Sequence, residues 1–263
     1  MRIAVTNDDG VHAPGIEYLA VALRDAGHDV VICAPDSNLS GAGASTGADL
    51  RKIKGLVITP TKVAGMEAHM VSSTPAVCAL LAVRGAFGGA VDMVLSGINP
   101  GTNMGPSVLH SGTVGAVVTA SNFGVPGLAV SVDAEETAPA EIFASAAHWA
   151  LFVLDNIDPE GAPRALSLNV PNLPADQVKG VRATGLDPTP GFRAAGVRTV
   201  ETLEGGARLV SFVYEPVERN LDLGGDVAAV REGYASLSWL SSIAADDSPR
   251  GNWKTDRAPS LAR

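Results

Sequence analysis

The sequence predicts an α/β fold: a mostly parallel sheet with helices on both faces, followed by a C-terminal antiparallel excursion or hairpin arm. Three observations point there. Short continuous apolar runs, such as RIAVT at 2–6 and DVVICA at 29–34, read as strands buried on both faces. Between these two runs, Ile16, Leu19, Ala20 and Leu23 recur at helical spacing, and Gly27 ends the helix, which completes a βαβ unit. After Pro171 the alternation of strand and helix fades into turn-rich segments, DPTPGF and LEGGAR, with strand-like stretches around them.

The elements follow in order. Arg2 to Thr6 is a strand, Gly15 to Ala26 a helix and Asp29 to Ala34 a second strand. Pro35 to Asp49 is rich in Gly, Ser and Asp and reads as a long loop. Strand-like pieces lie near Leu56 to Thr59 and Ala68 to Ser72. Ser73-Thr74-Pro75 has the hydroxyl and proline of a helix start, and that helix runs to about Arg84. Met93 to Ser96 is a strand, Gly112 to Phe123 a helix, Leu128 to Ser131 a strand, Ala138 to Asn156 a long helix and Leu166 to Val170 a strand. Val178 to Ala183 and Leu209 to Tyr214 belong to the expected antiparallel excursion, and the tail from Ser248 has the composition of a frayed end. The whole reads as one domain over 1–263, with a core over about 1–183 and the arm and C-terminal extension over about 184–263.

Composition narrows the function. The chain has 263 residues, 46% of them hydrophobic, enough for one large α/β domain. A net charge of -9 argues against a nucleic-acid polymer or an anionic membrane surface as partner. It leaves room for a small phosphorylated substrate, because a bound metal reverses the field locally. The two cysteines, Cys33 and Cys78, lie in apolar surroundings without ligand spacing and read as buried thiols of a reducing compartment. With no secretory leader or membrane span recognisable, a soluble cytoplasmic protein is expected.

Parallel sheets bind ligands at the carboxyl ends of their strands, where the strand order reverses. The segments leaving those ends are Asn7-Asp8-Asp9-Gly10, Pro35 to Gly41 and Gly97 to Asn103, all polar and glycine-containing. Asp-Asp-Gly alone suits an ordinary turn or cap. Beside two further polar loops, it suits a cation held against Asp8 and Asp9. The groups available are carboxylates, the Ser40 hydroxyl and the Asn99 amide oxygen, hard donors fit for magnesium, manganese or calcium rather than zinc. Ser111-Gly112-Thr113 and Ser73-Thr74-Pro75 each precede a helix and could cap it or receive an anion. His12 and His110 fall in the candidate loops and read as hydrogen-bonding groups more than as bases. No Walker loop is present.

The stretches NDDGVHAPGIEYLAVAL, APDSNLSGAGAS, STPAVCAL, SGINPGTNMG, HSGTVGAVVTASNFGVPGLAVS, LSLNVPNLP and DVAAVREGYASLSWL resemble, in order, those of the SurE family, the stationary-phase survival proteins. The resemblance covers most of the chain and weakens between about Arg182 and Gly224. It implies a Rossmann-like core, a divalent-metal-dependent phosphatase of nucleoside monophosphates, and a homodimer or homotetramer built through the arm. It further implies Asp8, Asp9, Ser40 and Asn99 as metal ligands, with Asp8 and Asp9 catalytic. Asn103 and Ser111, Gly112 and Thr113 would contact the substrate phosphate, with Thr74 nearby. Several positions depart from the family pattern. Val77 stands where an aspartate is usual, His110 for a tyrosine, Thr119-Ala120 for Glu-Gly, and Gly225 for the threonine before Asp226; Ala235 to Leu240 also differ. These departures leave open a different phosphomonoester, or a non-catalytic relative that binds a metal or nucleotide. PGIEYLAVALRDAGHDVVICAP also resembles the first βαβ unit of sugar-nucleotide glycosyltransferases, although the length leaves little room for a second Rossmann domain.

Overall fold

A computed structural model describes residues 1–157, 165–217 and 223–241. The first strand, β1 (Arg2–Thr6), sends Ile3 and Val5 into one core and Ala4 into another, as the period of two requires. Helix α1 (Pro14–Asp25) lays Ile16, Leu19 and Leu23 on the first face. Burying each such side chain stabilises the fold by about 1.5–3 kcal/mol. Strand β2 (Asp29–Pro35) returns parallel to β1.

Next come β3 (Ile58–Val63) and β4 (Met66–Val71), which form an antiparallel hairpin at the sheet edge. Both turn residues, Ala64 and Gly65, have positive φ, the geometry that suits a two-residue hairpin loop. Then follow α2 (Pro75–Val83), β5 (Met93–Pro100), a 3₁₀ turn (Gly105–His110), α3 (Gly112–Asn122), β6 (Gly127–Val132), α4 (Ala140–Asn156) and β7 (Ala165–Val170). Helices α1 and α4 cover one face of the sheet, and α2 and α3 the other.

The last strands are β8 (Val181–Thr184), β9 (Phe192–Thr202) and β10 (Arg208–Pro216). A short helix α5 (Asp226–Arg231) and β11 (Ala235–Leu240) follow. The main sheet has nine strands in the order β3-β4-β2-β1-β5-β6-β7-β11-β8. From β1 the order runs to β2 and β4 on one side and to β5, β6 and β7 on the other, so it reverses between β1 and β5. Strands β9 and β10 form a separate antiparallel hairpin.

The predicted class holds, and three details differ. The stretch at 181–184, expected in the antiparallel excursion, pairs parallel with β11 in the main sheet. β11 itself, which no local reading singled out, inserts between β7 and β8, so the chain returns to the core after the hairpin. β9, a stretch left unassigned between the two turn-rich segments, is an eleven-residue strand, every residue of it exposed. The tail from Ser248 lies outside the described residues.

Candidate active site

At the end of β1, the Asn7 side chain receives the Gly10 N–H at 3.2 Å and donates to the Gly10 carbonyl at 2.8 Å. This closes a tight turn in which Gly10 has φ +105°, a value that suits glycine. The turn presents two adjacent carboxylates. Asp8 is buried, with one oxygen accepting the Gly112 N–H at 3.1 Å and the other accepting the Thr113 hydroxyl at 2.5 Å. Gly112 tolerates no side chain here, since a Cβ would stand 2.7 Å from the Asp8 Cβ. Asp9 is half-buried and one of its oxygens is enclosed without any hydrogen-bond partner. Burial, then the Asp8 charge, then that of Glu136, push the Asp9 carboxyl up to about 7. Among the described residues neither acid is in an ion pair.

Asn99 reaches the same place from the end of β5. Its amide nitrogen donates to the carbonyls of Pro100 at 3.1 Å and Gly101 at 2.6 Å. Its oxygen lies 3.5 Å from the Thr113 hydroxyl, whose single proton is better placed on Asp8. The Asn99 oxygen therefore keeps acceptor capacity. The loop after β2 is tied to the acids through its backbone, because the Leu39 N–H donates to the Asp8 carbonyl at 2.7 Å. Ser40 follows, exposed, its hydroxyl donating to Asn38 at 2.7 Å and its lone pairs available. Farther along, the Gly43 N–H donates to the His110 carbonyl at 3.1 Å, which joins this loop to the entrance of α3.

Asp8, Asn99, Gly112 and Thr113 are thus brought together by direct contacts, with Asp9 beside Asp8 and Ser40 one residue beyond a backbone link to it. The other expected substrate contacts are occupied differently. Ser111 caps α3, accepting the Val114 N–H at 3.1 Å. Thr74 caps α2 and donates to the Ser45 carbonyl at 2.6 Å. Asn103 is buried with its amide turned to Ser131 at 2.9 Å, and its backbone is clamped by Asn169. Thr74 and Asn103 therefore anchor the loops around the acids in this structure.

Two further parts of the site escaped sequence reading. Glu136, on the loop leaving β6, acts on Asp9; the same strand-end rule that selected the other loops would have found it. Asp226 is fully buried and accepts the N–H groups of Gly105, Asp187 and Val227 at 2.8–2.9 Å. It holds the turn after the Asn99 loop from far along the chain, and nothing local announces it.

The arrangement fits a small divalent ion. A partnerless, enclosed Asp9 oxygen next to a second carboxylate calls for a positive charge, and the surrounding groups are hard oxygen donors. Among the described residues no three His, Cys, Asp or Glu side chains are placed around a common metal position, so the set needs the neutral oxygens of Ser40 and Asn99. A cleft of about 260 Å³ opens beside Asp9, walled also by His12, Asp36, Ser37 and Glu136. A larger apolar cavity of about 490 Å³, lined by Leu50, Leu56, Leu80 and Val77 among others, contains none of the site residues.

Fold and site together define a Rossmann-like α/β protein with an acidic, oxygen-donor centre at its topological switch point. The sequence model of the family Survival protein SurE matches residues 3–189. The 5'-nucleotidase SurE of Aeromonas hydrophila is 37% identical over 244 residues, covering 92% of each chain. The 5'/3'-nucleotidase SurE of Shigella dysenteriae is 37% identical over 243 residues, 91% of this chain and 90% of that one. The crystal structure of the Aquifex aeolicus SurE protein superposes with a TM-score of 0.73 at 30% identity, over 91% of this chain and 93% of that one. The chain belongs to the SurE family. Membership, and one main sheet among the described residues, set aside the glycosyltransferase resemblance.

Proposed function

We propose that the chain is a phosphoric monoester hydrolase that cleaves nucleoside 5'- or 3'-monophosphates with the help of a divalent cation. Curated relatives that match over nine-tenths of this chain are nucleotidases. The observation that carries the metal reading is the enclosed, partnerless Asp9 oxygen beside Asp8 at the switch point. Asp8, Asp9, Ser40 and Asn99 are the residues that would hold magnesium or manganese. When bound, the ion would supply Lewis acidity toward the phosphoryl group and activate a water.

The chain's own residues do the rest. The Gly112 N–H and Thr113 hydroxyl fix the rotamer of Asp8, the kind of outer support that orients a ligand. Ser111 caps α3, whose positive end faces the acids, a place suited to the phosphate's equatorial oxygens. No helix among the described residues is long and apolar enough to cross a membrane, and Cys33 and Cys78 are buried and free, which suits the cytoplasm.

The hairpin supports assembly into a homodimer or homotetramer. Phe192, Val197, Val200, Phe212 and Tyr214 stand exposed on it, more apolar surface than a lone two-stranded ribbon sustains in water. Phosphate release from a panel of nucleoside and non-nucleotide monophosphates, with manganese or with chelator, tests the activity. Release should require the metal and favour nucleoside monophosphates. Equal release in chelator would remove the metal, and no release from any ester would leave a binding protein.

A further inference from the structure

The two acids face different surroundings. Asp8 is closed in by the start of α3, through Gly112 and the fully buried Thr113. Asp9 opens into the cleft of about 260 Å³. For a phosphate held at the start of α3, the cleft bordered by Asp9 offers concave space beside the acids for the ester side of the substrate.

His12 stands in the cleft wall. Its backbone is fixed on both sides: the Val11 N–H donates to the Pro35 carbonyl at 2.9 Å and the Ala13 N–H to the Gly10 carbonyl at 3.1 Å. The ring is exposed, and among the described residues it has no hydrogen-bond or ion-pair partner. Of the other polar side chains of the wall, Asp9 is committed to the proposed cation, and the rest are poor proton donors. Asp36 and Glu136 are carboxylates, acceptors when ionised, and the Ser37 hydroxyl is given to Asp36 at 3.0 Å. Imidazole is the side chain whose ordinary titration falls nearest neutrality, which suits a general acid.

We propose that this cleft receives the alcohol portion of the substrate and that His12 is the acid that protonates its departing oxygen. The proposal rests on the phosphatase reading above and extends it to the leaving group. In the step, a water oxygen bonds to phosphorus while the ester P–O bond breaks. The electron pair of that bond goes to the alcohol oxygen, which takes the proton of the His12 imidazolium. The proton shed by the attacking water returns the ring to its charged form through solvent, so an ester and water become an alcohol and phosphate with no redox change. Asp36 and Glu136 are placed to accept hydrogen bonds from the hydroxyls of a sugar.

Leaving-group dependence decides the matter. An alkyl ester, adenosine 5'-monophosphate, needs protonation of its departing oxygen, whereas p-nitrophenyl phosphate releases an already stable anion. With manganese, His12→Asn should lower kcat on adenosine 5'-monophosphate about 100-fold. Its loss on p-nitrophenyl phosphate should be smaller by about tenfold or more. Equal losses on the two esters, or no loss on the nucleotide, overturn the assignment to His12 while leaving the phosphatase reading intact. A native protein that hydrolyses neither ester defeats that reading and this proposal with it. A second readout is independent of turnover: adenosine added at millimolar concentration to metal-free protein should move the His12 ring signals in the proton NMR spectrum, identified by their absence from His12→Asn. Signals that stay in place overturn the placement of the alcohol in the cleft.

Discussion

The carboxyl end of β1 and the hairpin of β9 and β10 expose opposite kinds of surface. At the first, charge is enclosed: Asp8 is buried under Gly112 and Thr113, and Asp9 has an oxygen with no partner. At the second, apolar side chains face outward, with Phe192, Phe212 and Tyr214 each more than 60% exposed. Each is costly for a lone chain in water, and each points to something that compensates it. A buried carboxylate calls for a cation, and an exposed apolar ribbon calls for more protein. The two regions also differ in how they are held. Hydrogen bonds from a distant segment lock the Asp8 side chain in place, while the hairpin relies on its own cross-strand ladder.

The contrast breaks most sharply if the acids prove dispensable. Replacing both, Asp8→Ala with Asp9→Ala, should lower kcat about 10³-fold or more and abolish manganese binding by calorimetry, with the fold retained. Near-normal turnover would mean that enclosed charge here serves structure alone. Next in size is the support for Asp8. Thr113→Val keeps the shape and removes the hydroxyl on Asp8; manganese affinity should fall about 10–100-fold, and an unchanged affinity would make that hydrogen bond incidental. The smallest effect on the site should come from the hairpin. Phe212→Ser with Tyr214→Ser should shift the protein toward monomer in size-exclusion chromatography. Each of these exposed changes should alter the stability of the isolated chain by only about 0.5 kcal/mol. A loss of metal affinity as large as that of Thr113→Val would show that the hairpin and the acids are not separate.

Much of the fold was legible because its strands are buried on both faces. RIAVT and MVLS are nearly continuous apolar runs, and parallel strands between helix layers need no polar face. β9 escaped for the opposite reason: FRAAGVRTVET has no buried face in this chain, so nothing imposes alternation on it. Within the site, Asp8, Asp9, Ser40 and Asn99 could be proposed from their places after strands, and the contacts among Asp8, Asn99, Gly112 and Thr113 bring their segments together. The turning of Asn103 toward Ser131 could not, since Ser131 lies 28 residues away on β6. The hold of Asp226 on the Gly105 turn spans 121 residues. Hydrogen bonds of that reach leave no local periodicity to read.

By itself, then, the order of residues settled the class of fold, the strand-and-helix succession of the first 170 positions and the family motifs that nominate the acids. These depend on spacing along the chain, which local sterics and burial translate directly into helix or strand. Only the tertiary structure decided that β11 inserts between β7 and β8, that Thr113 is spent on Asp8, and that Asp9 is left enclosed without a partner beside an open cleft. Those outcomes depend on which distant segments meet, and on how many donors each meeting leaves over.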